Sequence, residues 1–92
     1  MAFLGIGKKN PEKIRQSIRA LEQDVRQLTQ LRNNKELTTD YLRKELEKQP
    51  SNQDIHARLR EAEDEVTRID TQINKINKQI VKLQKQLGAL ER

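Results

Sequence analysis

The chain contains no cysteine and no tryptophan, and Phe3 and Tyr41 are its two aromatic residues. The lack of cysteine excludes disulfide bonds and thiolate metal sites, and it is compatible with a reducing compartment. A chain of 92 residues with 33% hydrophobic content is too short and too polar to build a conventional layered core. Its stability therefore has to come from a narrow apolar seam between helices.

Residues that carry catalysis or bind metals are also sparse. His56 is the one histidine, so His and Cys cannot assemble a metal site, and we interpret it as an ordinary exposed helix residue. The glycines Gly5, Gly7 and Gly88 form no phosphate-binding loop. Two rod-like helices offer no concave, water-excluding site. We therefore expect a protein that is not an enzyme and that uses no metal and no cofactor.

Long hydrophobic runs are missing as well. The apolar run from Ala2 to Ile6 is too short for the core of a signal peptide and too short to span a bilayer. We therefore expect a cytoplasmic protein and leave peripheral contact with a membrane open.

The residues that are present are those of long helices. Charged residues make up 36% of the chain, with both signs interspersed, and glycine and proline occur near the ends or at Pro50. From Ile55 onward the apolar residues are spaced alternately four and three apart, which is a heptad repeat. The first half follows the same rule. The predicted seam comprises Ile14, Ile18, Leu21, Val25, Leu28, Leu42, Leu46, Ile55, Leu59, Val66, Ile69, Ile73, Ile76, Ile80, Leu83 and Leu87.

The numbering of the seam predicts an antiparallel hairpin. Facing residues of such a hairpin have numbers with a constant sum, and pairs such as Ile14 with Leu87 add to 101. The chain then folds back beside Pro50, which ends a helix, and the Ser51-x-x-Asp54 pattern predicts that Ser51 caps the next one. The sequence predicts an all-α fold with a flexible N-terminal segment 1–10 and a hairpin 11–92, in which helix 11–49, turn 50–52 and helix 53–90 follow one another.

A polar waist interrupts the seam at Arg32, Lys35 and Thr39. The two basic side chains either extend outwards to acids such as Glu65 and Asp70, or the helix rotates locally. Whether the waist has a function stays open. Among the flanking residues we expect attraction between Glu45 and Arg58 and repulsion between Glu36 and Glu63.

Charge is unevenly distributed along the predicted rod. Residues 1–35, 36–70 and 71–92 carry net charges of +5, −4 and +4, so the hairpin has a basic end with both termini and an acidic end at the turn. On the second helix, Lys75, Lys78, Lys82 and Lys85 share one face. This candidate phosphate-binding stripe could follow lipid head groups or nucleic acid, or it could be solvated helix surface.

Several apolar residues lie off the seam. Leu31, Leu37, Tyr41 and Val81 form the candidate partner surface, and uncharged Gln72, Asn77, Gln79, Gln84 and Gln86 flank the second helix. Uncharged flanks would let a second hairpin approach and complete a four-helix bundle. An isolated two-helix seam is also marginal in stability.

The N-terminal segment adds an apolar plug of Phe3, Leu4 and Ile6 beside Lys8 and Lys9. It could insert at an anionic membrane, dock on a partner protein, or cap the open end of the hairpin. In this layout the chain resembles the basic first hairpin of membrane-remodelling proteins such as the ESCRT-III and phage-shock A families, without a family motif matched residue by residue.

Three functions follow from these patterns. The leading expectation is an interaction or assembly module, an adaptor or scaffold that forms an antiparallel homodimer or binds another helical protein. The second is peripheral binding to anionic membranes through the plug and the basic end. The third, which we rank lower, is nucleic-acid binding without sequence preference, because no aromatic residue lies among the lysines.

Overall fold

The structure is a computed structural model that describes residues 10–91. Helix α1 spans Pro11–Lys48 and helix α2 spans Gln53–Leu90, with 38 residues each, so that each helix is about 57 Å long. The two helices pack against each other as an antiparallel hairpin, which confirms the predicted all-α fold. The apolar plug of Phe3, Leu4 and Ile6 lies outside the described residues.

Helix α1 begins and ends at residues suited to those positions. The side chain of Asn10 accepts a hydrogen bond of 2.9 Å from the Glu12 N–H, and Pro11 occupies the first helical position, where its missing donor does no harm. The helix ends at Lys48, one residue before the predicted end, because Gln49 precedes Pro50 and leaves the helical region.

The turn between the helices corrects one prediction, because Asn52 caps α2 and Ser51 does not. Asn52 Oδ1 accepts hydrogen bonds from the backbone N–H groups of Asp54 at 3.0 Å and Ile55 at 3.2 Å. Its Nδ2 donates to Gln49 Oε1 at 2.8 Å. An amide side chain has both an acceptor and a donor, so Asn52 ties the start of α2 to the end of α1.

The apolar seam runs between the two helices as expected from a heptad repeat. Every residue of the predicted seam is buried or half-buried. Near the open end, Ile14, Ile18 and Ile80 form a buried cluster, against which Leu21, Val25, Ile76, Leu83 and Leu87 pack. No side chain in the described part of the chain is fully buried, because a two-helix core is only one layer deep.

Candidate interaction surfaces

The polar waist is held by ion pairs across the hairpin. Arg32 Nε lies 2.5 Å from Asp70 Oδ1, and Lys35 Nζ lies 2.8 Å from Glu65 Oε2. Arg32 also contacts Glu36, with Nη2 2.9 Å from Oε1. Of the two alternatives left open by the sequence, the structure therefore shows the outward extension of both basic side chains.

Thr39 completes the waist as a small buried layer. It is the least exposed residue of the buried set, at 3%, and Ala62, at the facing seam position, is 7% exposed. The Thr39 hydroxyl donates a 2.9 Å hydrogen bond to the Lys35 carbonyl one turn earlier. The polar group is thus satisfied within its own helix, and the layer contains no large side chain.

The ion pairs at the waist shift two pKa values. The hydrogen bond to Asp70 raises the pKa of the Arg32 guanidinium, which keeps the group charged. The hydrogen bond that Lys35 donates is the largest cause that lowers the pKa of the Glu65 carboxyl, and the positive charge of Lys35 is the second. Both side chains are partly exposed, so solvent weakens these interactions.

The flanking ion pairs differ from those expected. Arg58 pairs within α2, with Nε 3.1 Å from Asp54 Oδ2, and Glu45 lies 3.8 Å from Lys48 Nζ within α1. The predicted contact between Glu45 and Arg58 is therefore wrong. Each long side chain instead reaches an opposite charge one turn away on its own helix.

The expected repulsion between Glu36 and Glu63 is also relieved. Arg43 Nη2 lies 3.0 Å from Glu63 Oε2 across the hairpin, and Glu36 pairs with Arg32. Each carboxylate therefore has an arginine of its own.

The two sides of the hairpin carry different numbers of cross-helix ion pairs. One side, which we call the charged flank, has the pairs Arg15–Glu91, Arg32–Asp70 and Arg43–Glu63. The other side, which we call the amide flank, carries Ser17, Asp24, Leu31 and Thr38 of α1, Gln72, Gln79 and Gln86 of α2, and the adjacent Tyr41, and nearer the turn it also carries Glu45, Arg58 and Glu65. Within residues 10–91, Lys35–Glu65 is the one cross-helix ion pair on this second side.

Two shallow grooves open on the amide flank. The first, at the middle of the rod, is lined by Asp24, Gln27, Leu28, Leu31, Gln72, Lys75 and Ile76. The second lies nearer the turn and is lined by Lys35, Thr38, Tyr41, Leu42, Arg58, Glu61, Ala62 and Glu65. Leu31 and Tyr41 thus contribute apolar surface to consecutive parts of one face.

The four residues of the candidate partner surface do not share one face. Leu31, Leu37, Tyr41 and Val81 are 44%, 68%, 61% and 47% exposed. Leu31 and Tyr41 lie on the amide flank, and Leu37 lies on the outer face of α1. Val81 lines a separate concavity on α2 with Asn74, Asn77, Lys78 and Lys82. Leu31 and Tyr41 therefore lie on the same flank, and Val81 lies apart from them on α2.

The lysine stripe is exposed and free of acidic partners. Lys75, Lys78, Lys82 and Lys85 are exposed, and none forms an ion pair with an acid in residues 10–91. By contrast, the basic residues of the waist are all paired with carboxylates. The positive charge of the stripe is consequently available to an external anion.

The remaining residues with possible chemistry are dispersed. His56 is exposed, and its Nε2 lies 2.8 Å from the Pro50 carbonyl oxygen, so it contributes to the turn. Among residues 10–91 there is no group of three or more His, Cys, Asp or Glu side chains placed to hold a metal ion. Neither of the two helices is long and apolar enough to cross a membrane.

Comparison with known proteins gives no relative for this hairpin. No protein-family model matches the chain, and no curated protein or solved structure matches it significantly. Its function therefore has to be inferred from its own surfaces.

Proposed function

We propose that this chain is a non-enzymatic coiled-coil interaction module, an adaptor or scaffold of the cytoplasm, that associates with a second copy of itself or with another helical protein. The amide flank carries this proposal. It exposes Leu31 and Tyr41 in two consecutive grooves and has one cross-helix ion pair, whereas the opposite flank has three.

The thin core gives a thermodynamic reason for association. Ordering about 80 residues costs conformational free energy of the same size as the gain from burying one apolar stripe per helix. The observed seam includes no fully buried side chain among the described residues. Covering the amide flank would add apolar burial without ordering more backbone, so binding and folding stability are coupled by mass action.

Sedimentation velocity of the full chain over a dilution series tests self-association. Between about 5 and 500 µM we expect the mass to rise from 10.8 kDa towards twice that value, as mass action requires. A constant mass of 10.8 kDa would contradict self-association and would leave only binding to a different helical protein.

A second candidate function is peripheral binding to an anionic membrane. It is favoured by the unpaired lysine stripe and by the exposed Val81 between Lys78 and Lys82, because each lysine near an anionic surface contributes about 1 kcal/mol. Vesicles of phosphatidylserine and phosphatidylcholine should bind the chain, and vesicles of phosphatidylcholine alone should not. Loss of binding after deletion of residues 1–7 would implicate the apolar plug, and unchanged binding would exclude it.

The same stripe is the basis of a lower-ranked alternative, non-specific nucleic-acid binding. Contacts between lysines and phosphates release counterions, so the affinity for duplex DNA should fall steeply as salt is raised. Replacing Lys75, Lys78, Lys82 and Lys85 by glutamine should reduce the salt dependence of a gel shift. A shift that is insensitive to salt would count against this alternative.

A further inference from the structure

We propose that the amide flank is the interface of an antiparallel homodimer whose two-fold axis passes beside Leu31 and Gln72. This inference rests on the proposed self-association and specifies its geometry. A second copy of the chain covers this flank, with α1 stacked on α1 and α2 stacked on α2.

The position of the axis follows from the lengths of the helices. Helix α1 spans Pro11–Lys48 and helix α2 spans Gln53–Leu90, so their midpoints lie within two residues of Leu31 and Gln72. Two equal antiparallel rods overlap completely only if the perpendicular two-fold axis that relates them passes through their midpoints. The central groove, which includes Leu28 and Ile76 as well as Leu31, lies at this point. Leu31 would therefore contact its own counterpart in the second copy.

The charges of the two ends determine the relative direction of the rods. The turn half, residues 36–70, has six basic and ten acidic residues. Residues 10–35 have six bases and three acids, and residues 71–91 have four bases and one acid, so the opposite half has an excess of six bases. An antiparallel pair places each basic half beside an acidic half, whereas a parallel pair would superimpose charges of the same sign.

The side chains of α1 that would face each other near the axis are complementary in size and polarity. With Leu31 on the axis, facing residues of the two copies of α1 have numbers that add to about 62. Tyr41, 61% exposed, then lies over the small Ala20 of the second copy. Thr38, whose hydroxyl donates a 3.3 Å hydrogen bond to the Asn34 carbonyl oxygen, lies beside Asp24, so that no acidic residue faces this carboxylate. No charges of equal sign oppose each other in these central turns of α1.

The amide flank costs less to desolvate than the charged flank, and its area is large enough for a dimer interface. Burying the charged flank would remove water from three ion pairs, including Arg32–Asp70 and Arg43–Glu63, whose desolvation can exceed their attraction. The rod is 19 Å wide in its broader cross-section. A face of that width and about 57 Å length covers roughly 1,000 Å², which is sufficient for the roughly 800 Å² per partner of a specific interface.

Site-specific cross-linking in the cysteine-free chain tests the axis. Oxidation of the Leu31→Cys variant should give a disulfide-linked dimer about ten-fold faster than oxidation of Val81→Cys, because thiols near a two-fold axis can reach disulfide geometry. Val81 is the matched control, since the two residues are 44% and 47% exposed. Circular dichroism of each variant verifies that the hairpin is retained.

A mixed pair of variants tests the direction. Tyr41→Cys mixed with Ala20→Cys should yield a cross-linked heterodimer, and Tyr41→Cys alone should not form one. Self-cross-linking of Tyr41→Cys, or preferential cross-linking of Val81→Cys in a sample that sediments as a dimer, would overturn this interface and leave self-association intact. A sample that sediments as a monomer would contradict both proposals.

Discussion

Lys35 and Glu65 join the two helices where the apolar seam is interrupted, with Nζ of the lysine 2.8 Å from Oε2 of the glutamate. Lys35 occupies a seam position, yet its ammonium group reaches the edge of the amide flank. The aliphatic stem covers the seam while the charge stays near solvent. This pair therefore links the interior of the hairpin to the face that we assign to a second copy.

The first prediction concerns the pH dependence of this pair. The pKa of Glu65 lies below its ordinary value of 4.5, so its ionised form stabilises the folded state above that pH. This stabilisation is lost as the pH falls through the lower, folded-state pKa. Wild type should therefore be more stable than Glu65→Gln at neutral pH, and the difference should shrink as the pH falls below 4.5. Urea unfolding at each pH measures it.

Glu61→Gln is the control for this experiment, because Glu61 forms no ion pair within residues 10–91. Glu61→Gln therefore removes a carboxylate without removing an ion pair, and it should destabilise the fold less than Glu65→Gln at neutral pH. A Glu65→Gln difference that does not change with pH would show that the pair does not stabilise the fold.

The second prediction concerns the waist as a whole. Replacing both Arg32 and Lys35 by leucine should raise the melting temperature, because partly exposed ion pairs contribute little to stability and leucine side chains packed into the seam would bury additional apolar surface. Thermal unfolding followed by circular dichroism measures the change. Arg26→Leu with Lys44→Leu, both at exposed positions, should give no comparable increase. A lower melting temperature for the waist variant would show that its ion pairs are essential to the hairpin.

The third prediction concerns the small layer of Thr39 and Ala62. Ala62 is 7% exposed, so Ala62→Leu would overfill this layer and should destabilise the fold by about 1–3 kcal/mol. Ala57→Leu, at an exposed position of the same helix, should change stability by less than about 0.5 kcal/mol. Equal effects of the two substitutions in urea unfolding would contradict close packing at the layer.

The fourth prediction concerns the turn. Asn52→Ala removes the side chain that accepts two hydrogen bonds from α2 and donates one to Gln49. It should lower the free energy of unfolding by about 1 kcal/mol. Ser51→Ala should change it by less than about 0.5 kcal/mol, and the reverse order of the two effects would restore Ser51 as the capping residue.

The sequence predicts the seam and its register well, because the helix interface is the one place in a two-helix fold where an apolar side chain is removed from water. Burial rewards Ile18 or Leu42 only at the helix interface, so the heptad spacing alone predicts their positions. The contacts of Arg32 with Asp70 and of Lys35 with Glu65 correspond to one of the two alternatives that the sequence left open. The sequence could name the acids within reach of these bases, but it could not decide between outward extension and a local rotation of the helix.

The exposed ion pairs were not predictable in the same way. Arg58 can reach Asp54 one turn away or Glu45 on the other helix, and the two choices differ by only a few tenths of a kcal/mol. The list of exposed apolar residues alone likewise could not show that Leu31 and Val81 lie on different faces of the hairpin. A consistent heptad assignment provides that signal, because Leu31 follows the seam residue Leu28 by three positions and Val81 follows Ile80 by one.

The central claim, that two hairpins associate in antiparallel orientation, is tested most directly by the distance between the two turns. A single spin label at Ser51→Cys in the cysteine-free chain reports only distances between copies. Pulsed electron–electron double resonance should give a distance between the two labels of about 57 Å or slightly more, which is the length of one rod. A distance near about 10 Å, that of adjacent helices in a parallel pair, or the absence of any dipolar interaction at high concentration would contradict the account.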